Sequence, residues 1–194
     1  MVQKLFGWLV LLACAACIGP KIRQAPPAGA YFQAMNVKFN FSDCQGRQNG
    51  RVYWRFDDRH AKFIFFTPLN QVALELDVAG ETAWLLRPGK KLFWRGDFSR
   101  LLDRLWGIEL TMEELKKLLL VGEVPQRKLD DNGMTIDLKT DPGNLAPRTV
   151  NIRRNDAHLT LRVTNSEIRT GTIVLLDYER RFQAAALEDI LSDD

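Results

Sequence analysis

The sequence holds only two histidines and three cysteines, and has no marked excess of either charge. Each shortage excludes something. With His60 and His158 alone, a histidine-based triad has few options, and no G-x-S-x-G elbow supplies a nucleophile. Beyond Cys14 and Cys17 near the start of the chain, no CxxC or CxxH pair occurs, so the second half of a zinc site's ligand set is missing. The acidic pairs Asp57/Asp58 and Asp130/Asp131 sit in polar turns, where solvation is explanation enough. These absences argue against an enzyme, and none of the residues calls for a metal or another cofactor. Lys and Arg number 27 against 24 Asp and Glu, and a net charge of +3 is too small to argue for nucleic acid. No internal repeat or low-complexity tract is present. The leading apolar run, Leu5 to Leu12, is shorter than the roughly 20 residues a membrane-spanning helix needs.

That run belongs to a leader. Lys4, the apolar stretch and the small residues after it read as a secretory signal over residues 1–17. Small residues ahead of a cysteine are similar to a bacterial lipoprotein signal, and two cysteines compete for the lipid. Cys14 follows Leu11-Leu12-Ala13, whereas Cys17 follows Ala15-Ala16 and leaves a fuller apolar run. The simpler alternative is an ordinary cleaved leader and a soluble periplasmic protein. One acyl chain gives only reversible attachment. A lipoprotein cysteine with three chains, as this resemblance implies, would hold the domain to a membrane. The next residue, Ile18 or Ala15, is not the Asp of the enterobacterial inner-membrane retention rule, which points to the outer membrane, on its periplasmic side. Residues 18–29, with Pro20, Pro26 and Pro27, read as a tether. From Gly19 to Gly29 it reaches about 35–40 Å at full stretch. Cys44 is left as an odd thiol, which either pairs between chains or reacts, or, the favoured reading, is a small residue at a strand end.

Hydrophobic residues make up 46% and charged residues 26%, enough for one domain with a core, placed at residues 30–179. Its centre is the stretch from Asp97 to Gly122. Phe98, Leu101, Leu102, Leu105 and Trp106 recur at helical spacing, with Asp97 to start the helix and Gly107 to end it. Thr111 and Glu114 form a capping box for a second helix, whose stripe is Met112, Leu115, Leu118 and Leu119. On either side the pattern alternates. Strands are predicted around Val37–Phe41, Val52–Phe56, Lys62–Phe66, Val72–Val78, Thr82–Arg87 and Leu92–Arg95. Further strands are predicted around Met134–Lys139, Thr149–Arg153, Leu159–Val163 and Ile168–Asp177, with turns at Gly46–Gly50 and Asp141–Asn144. Short turns favour an antiparallel meander. The fold class is therefore mainly β (α+β), a strongly curved antiparallel sheet with two short helices against its concave face. A tail, residues 180–194, carries Phe182, Leu187, Ile190 and Leu191 at near-helical spacing.

Leu69 lies in the break Thr67-Pro68-Leu69-Asn70-Gln71 between two strands. Such a residue either folds back onto the core or stands in solvent, ready to touch lipid. The segment from Phe63 to Leu76 resembles the strand, Pro-Leu-Gly-type loop and Leu-Glu-Leu strand of the outer-membrane lipoprotein receptor family LolB. Leu101 to Gly107, Glu109-Leu110-Thr111 and the Leu-rich helix ending near Gly122-Glu123-Val124-Pro125 are similar to that family too. The resemblance spans roughly Val37 to Thr164 and departs at Asn70, where the family often has Gly. The tail has no counterpart in it.

The resemblance implies an unclosed barrel with a helical lid or plug over an apolar cavity that takes the acyl chains of lipoproteins. It implies delivery to the outer membrane through a protruding loop, here Pro68 and Leu69. Acylated cargo, a LolA-like periplasmic carrier and outer-membrane lipid would be the partners of a monomer. Candidate cavity residues are Val37, Phe39, Phe41, Val52, Trp54, Phe56, Leu74 and Leu76, with Trp84 and Trp94. Candidate lid residues are Leu102, Leu105, Trp106, Leu115 and Leu118. For each of these the plainer reading is a filled core. The competing function is an envelope lipoprotein of the same fold, structural, sensory or glycolipid-binding, that transfers nothing.

Overall fold

The computed structural model describes residues 30–44, 46–125, 133–140, 148–175 and 178–192. The expected leader with Cys14 and Cys17, the expected tether, Asp130, Asp131 and the turn expected at Asp141–Asn144 lie outside the described residues.

Alternating side chains build the strands. β1 (Tyr31–Asp43) buries Met35, Val37 and Phe41 and exposes Asn36 and Lys38. β2 (Gly46–Phe56) does the same with Val52, Trp54 and Phe56. β3 (His60–Phe66), β4 (Val72–Ala79), β5 (Thr82–Arg87) and β6 (Leu92–Asp97) follow, each antiparallel to its predecessor. β7 (Met134–Lys139), β8 (Thr149–Arg154) and β9 (Ala157–Thr170) form a second antiparallel run, and β9 pairs with β1. β10 (Gln183–Ala184) lies parallel to β6. Among the described residues these strands form one sheet, ordered β10-β6-β5-β4-β3-β2-β1-β9-β8-β7. No ladder among those residues joins β7 to β10, so the curved sheet is an unclosed barrel, as expected. The β1–β9 register shifts at Asn36/Val37, where the Thr164 hydroxyl donates to the Asn36 carbonyl at 3.0 Å. One extra residue on a strand bends it locally, which suits a sheet that must curl.

Two helices fill the concave side. In α1 (Phe98–Trp106) the Asp97 carboxylate accepts the Arg100 N–H at 2.9 Å, and Gly107 closes the helix at φ +64°. In α2 (Met112–Val121) the Thr111 hydroxyl accepts the Glu114 N–H at 3.1 Å and the Glu114 carboxylate accepts the Thr111 N–H at 2.8 Å. The helical stripes bury Phe98, Leu101, Leu102, Trp106, Met112, Leu115, Leu118 and Leu119 in one core with the inward residues of the sheet. The Phe63 and Phe98 rings stack with centroids 6.1 Å apart. A fully buried side chain of this size contributes roughly 1.5–3 kcal/mol, so this interface holds the barrel wall to its plug.

Two sequence expectations change. The strand expected from Ile168 to Asp177 is not a separate one over its described part, 168–175. Its first residues complete β9, Gly171 turns at φ +139°, and residues 172–175 are irregular. The cause is register: Thr170 pairs with Tyr31, the first residue of β1, so the ladder ends there. The turn expected at Gly46–Gly50 is shorter, because β2 begins at Gly46, whose N–H donates to the Asp43 carboxylate at 3.0 Å. The tail is ordered against the domain. It adds β10, then α3 (Leu187–Leu191).

Candidate functional site

A cavity of about 710 Å³ opens at the end of the barrel where β1 approaches Asp43. Its apolar wall comes from Phe39 and Phe41 of β1, Phe65 of β3, Leu74 of β4, Leu85 of β5, and Leu105 and Trp106 at the end of α1. Edge-on and tilted ring contacts place Phe39 6.3 Å from Phe65 and 6.0 Å from Trp106. Asp43, Gln48, Thr67, Arg87 and Arg104 stand among the polar residues that line it. The volume falls within the roughly 300–1,000 Å³ of ligand-binding pockets, and the lining is mainly apolar with few polar groups, the usual form of such a site.

Thr67, Val72 and Ala73 belong to the same wall and bracket the loop that carries Leu69. Leu69 is 82% exposed. The loop is a tight turn. The Thr67 carbonyl accepts the Asn70 N–H at 2.9 Å, and the Thr67 N–H donates to the Gln71 carbonyl at 2.9 Å. Pro68 is second in the turn, where its fixed φ is pre-set. Asn70 takes the left-handed conformation at φ +63°, which Asn tolerates best after Gly. Its side-chain oxygen accepts from Arg51 Nη2 at 2.9 Å. Asn70 therefore fits the turn and adds a tie to β2. A large apolar side chain is held in water beside the mouth of an apolar cavity.

The sequence candidates divide into three groups. Phe39, Phe41, Leu74, Leu105 and Trp106 line the cavity. Val37, Val52, Trp54, Phe56, Leu76, Leu102, Leu115 and Leu118 are buried in the core, packed by the helices rather than left facing the space. Trp84 is a correction. It sits on the outer face of β5 with Leu86, against Phe93 and Tyr178, because its neighbours Ala83 and Leu85 take the inward positions. Trp94 faces inward but lies over its own strand. A Cβ at Gly96 would fall 2.1 Å from its ring, so glycine there makes room for the indole, which does not line the cavity. Phe65, Leu85 and the tail residues Ile190 and Leu191 also line the space without having been singled out. Phe65 was detectable from its alternation with Phe63, but β3 is apolar on both faces and hid the signal.

The two histidines, Cys44 and Asp77 lie elsewhere. His60 stands 3.5 Å from Asp57 in the β2–β3 turn, and His158 lies on β9 near Thr160; neither lines the cavity. The Asp57 carboxylate caps its own turn, accepting the N–H groups of Arg59 and His60 at 2.8 and 2.6 Å. Cys44 is exposed, and a hydrogen bond to Asp156 raises its thiol pKa, which makes it a poorer nucleophile. Asp77, with no exposure, is on β4 beside Lys62, whose Nζ lies 3.3 Å away, and burial pushes its carboxyl up to about 6. A second, smaller groove of about 520 Å³ at the other end joins Tyr31, Phe32, Phe56, Leu120, Val121 and Ile168 to the charged residues Asp57, Asp58, Glu113, Lys116 and Lys117, and it lies away from the Leu69 loop.

Fold and site together define a class: an unclosed β-barrel, plugged by two helices, with an apolar pocket at one end. The family model for the outer membrane lipoprotein LolB matches residues 33–165. The chain belongs to that family. No curated protein matches it. Among solved structures it is similar to a LolA superfamily protein from Nitrosomonas europaea, at 10% identity and a TM-score of 0.48, over 73% of this chain and 87% of that one.

Proposed function

We propose that this chain accepts acylated lipoproteins from a LolA-like periplasmic carrier, holds their acyl chains in the cavity, and passes them to the outer membrane beside the Leu69 loop. The observation that carries this reading is the shared mouth: an apolar cavity of about 710 Å³ and a leucine 82% exposed, on one rim. Phe39, Phe41, Phe65, Leu74, Leu105 and Trp106 are the proposed acyl contacts. Cys17 or Cys14 carries the chain's own lipid, on the periplasmic side of the outer membrane.

No catalytic group is needed. Apolar chains entering the cavity replace water against aromatic and aliphatic walls, and each buried CH₂ contributes about 0.8 kcal/mol. Release requires a second apolar environment, and Leu69 supplies the first contact with one. Transfer is thus an exchange between apolar surroundings, driven by whichever buries more of the acyl surface.

The test mixes residues 18–194 with a periplasmic carrier loaded with acylated lipoprotein, then adds liposomes. Wild type should take cargo and pass it on. Leu69→Glu should take cargo and deliver at least tenfold less. Cargo delivered equally by both would remove the loop's role. A folded domain that accepts no acylated cargo from a matched carrier leaves the non-transferring envelope lipoprotein as the reading.

A further inference from the structure

The cavity is partly filled by the chain's own C-terminus. After the outer cluster, where Tyr178 and Phe182 pack with Leu86 and Phe93, the chain rounds the open edge of the sheet. The Gln183 N–H donates to the Lys91 carbonyl and the Ala185 N–H to the Phe93 carbonyl, both at 2.9 Å, so β10 covers the edge of β6. The chain then crosses to the inner side as α3. Ile190 has no exposed surface, and it forms the cavity wall together with Leu191. Arg87, itself in that wall, donates from Nη1 to the carbonyls of Ile190, at 3.0 Å, and Ser192. Glu188 pairs with Arg104 of α1 at 3.2 Å.

We propose that this segment is an internal stand-in for cargo: it occupies the mouth of the empty cavity and is displaced when acyl chains enter. The inference rests on the acyl-binding reading above and adds its regulation. α3 has five residues, and its N-cap, Ala186, makes no side-chain bond. Such a helix does not hold itself together and stays only while it is packed. Two of its anchors are polar and at the rim, and the Glu188–Arg104 pair is exposed on both sides, where ion pairs contribute little. Its apolar anchors, Ile190 and Leu191, are the kind of surface that an acyl chain replaces like for like. The tail therefore shields the cavity from water without cargo, and it opens at small net cost when cargo is offered. A segment closed in nine molecules of ten lowers apparent affinity about tenfold, because only the open fraction binds.

The experiment uses residues 18–194 and two probes, dansyl-labelled undecanoic acid and a triacylated lipopeptide. Wild type is compared with Glu188→Arg, which repels Arg104 from an exposed position, and Ile190→Ser, which weakens the plug. Ile190→Ser should bind the probes about tenfold more tightly, and Glu188→Arg, which acts through an exposed pair, about two- to threefold. Hydrogen exchange on wild type should show amides 183–192 losing protection as the lipopeptide saturates. Tight binding with those amides still protected, or weaker binding by both variants, would overturn the gate and make the tail a fixed part of the wall, while leaving the acyl site standing. Failure of every form to bind either probe overturns the acyl site itself, and the gate with it.

Discussion

At the scale of single residues, Asn70 and Asp77 carry the sharpest consequences. Asn70 holds the loop through its left-handed backbone and its bond to Arg51. Asn70→Gly should keep delivery close to wild type, since Gly adopts that conformation freely. Asn70→Val meets a penalty of about 1–2 kcal/mol in the same conformation, and should lower both the urea midpoint and the rate of cargo delivery. Asp77 contributes a pH dependence of its own. Its carboxyl titrates at about 6 when folded, against 3.8 as the ordinary value, chiefly through burial and in spite of Lys62. The folded chain thus holds this proton more tightly than the unfolded chain. Its contribution is fully favourable below about pH 4 and is lost as pH rises through about 6, a change of about 3 kcal/mol. Asp77→Asn should melt above wild type at pH 8, with the gap closing at pH 4.5; Lys62 keeps Glu75 at 2.7 Å as its partner. A gap of equal size at both pH values would show that the carboxyl does not titrate there.

At the scale of elements, the helices were readable because their signals are local. Caps and stripes depend on residues three or four apart, and Asp97, Gly107, Thr111, Glu114 and Gly122 act in the structure as the sequence implies. Thr111→Ala removes one side of a complete capping box and should cost about 1 kcal/mol, seen as a lower urea midpoint with an unchanged slope. The strands were readable by alternation, but alternation does not say which face is inward. Trp84 shows the limit. It alternates with Ala83 and Leu85 as a cavity residue would, and tail residues Tyr178 and Phe182 give the opposite face an apolar cover. Only a distant segment made that face habitable for tryptophan.

At the scale of the whole molecule, an open barrel wrapped on a helical plug must leave space where the plug ends. α1 stops at Trp106, and beyond it the walls from Phe39, Phe65 and Leu74 face one another across the cavity. A ligand that fills this space binds the folded state alone. Triacylated lipopeptide at a hundredfold excess over its dissociation constant should add about 2.7 kcal/mol of stability. For a domain of this size that raises the melting temperature by about 5–10 °C, measured by thermal unfolding across a lipopeptide titration. A water-soluble peptide without acyl chains should leave the melt unchanged.

The sequence by itself determined what depends on neighbours along the chain: the helices and their ends, the strands, and the break that carries Leu69. It did so because capping, periodicity and turn chemistry act over a few residues. The family likeness also lay in short words of sequence. The tertiary structure alone decided which apolar residues pack and which line a space. Val37 and Phe39 follow the same pattern in β1, yet one is sealed in the core and the other faces the cavity, because Phe39 meets the helical plug at the last residue of α1, Trp106, where the cavity opens. It alone also brought Ile190 to the cavity rim, 103 residues along the chain from Arg87, which receives it. Burial is a property of the closed surface, and contacts at that separation are fixed only when the sheet has curled and its open edge has been covered.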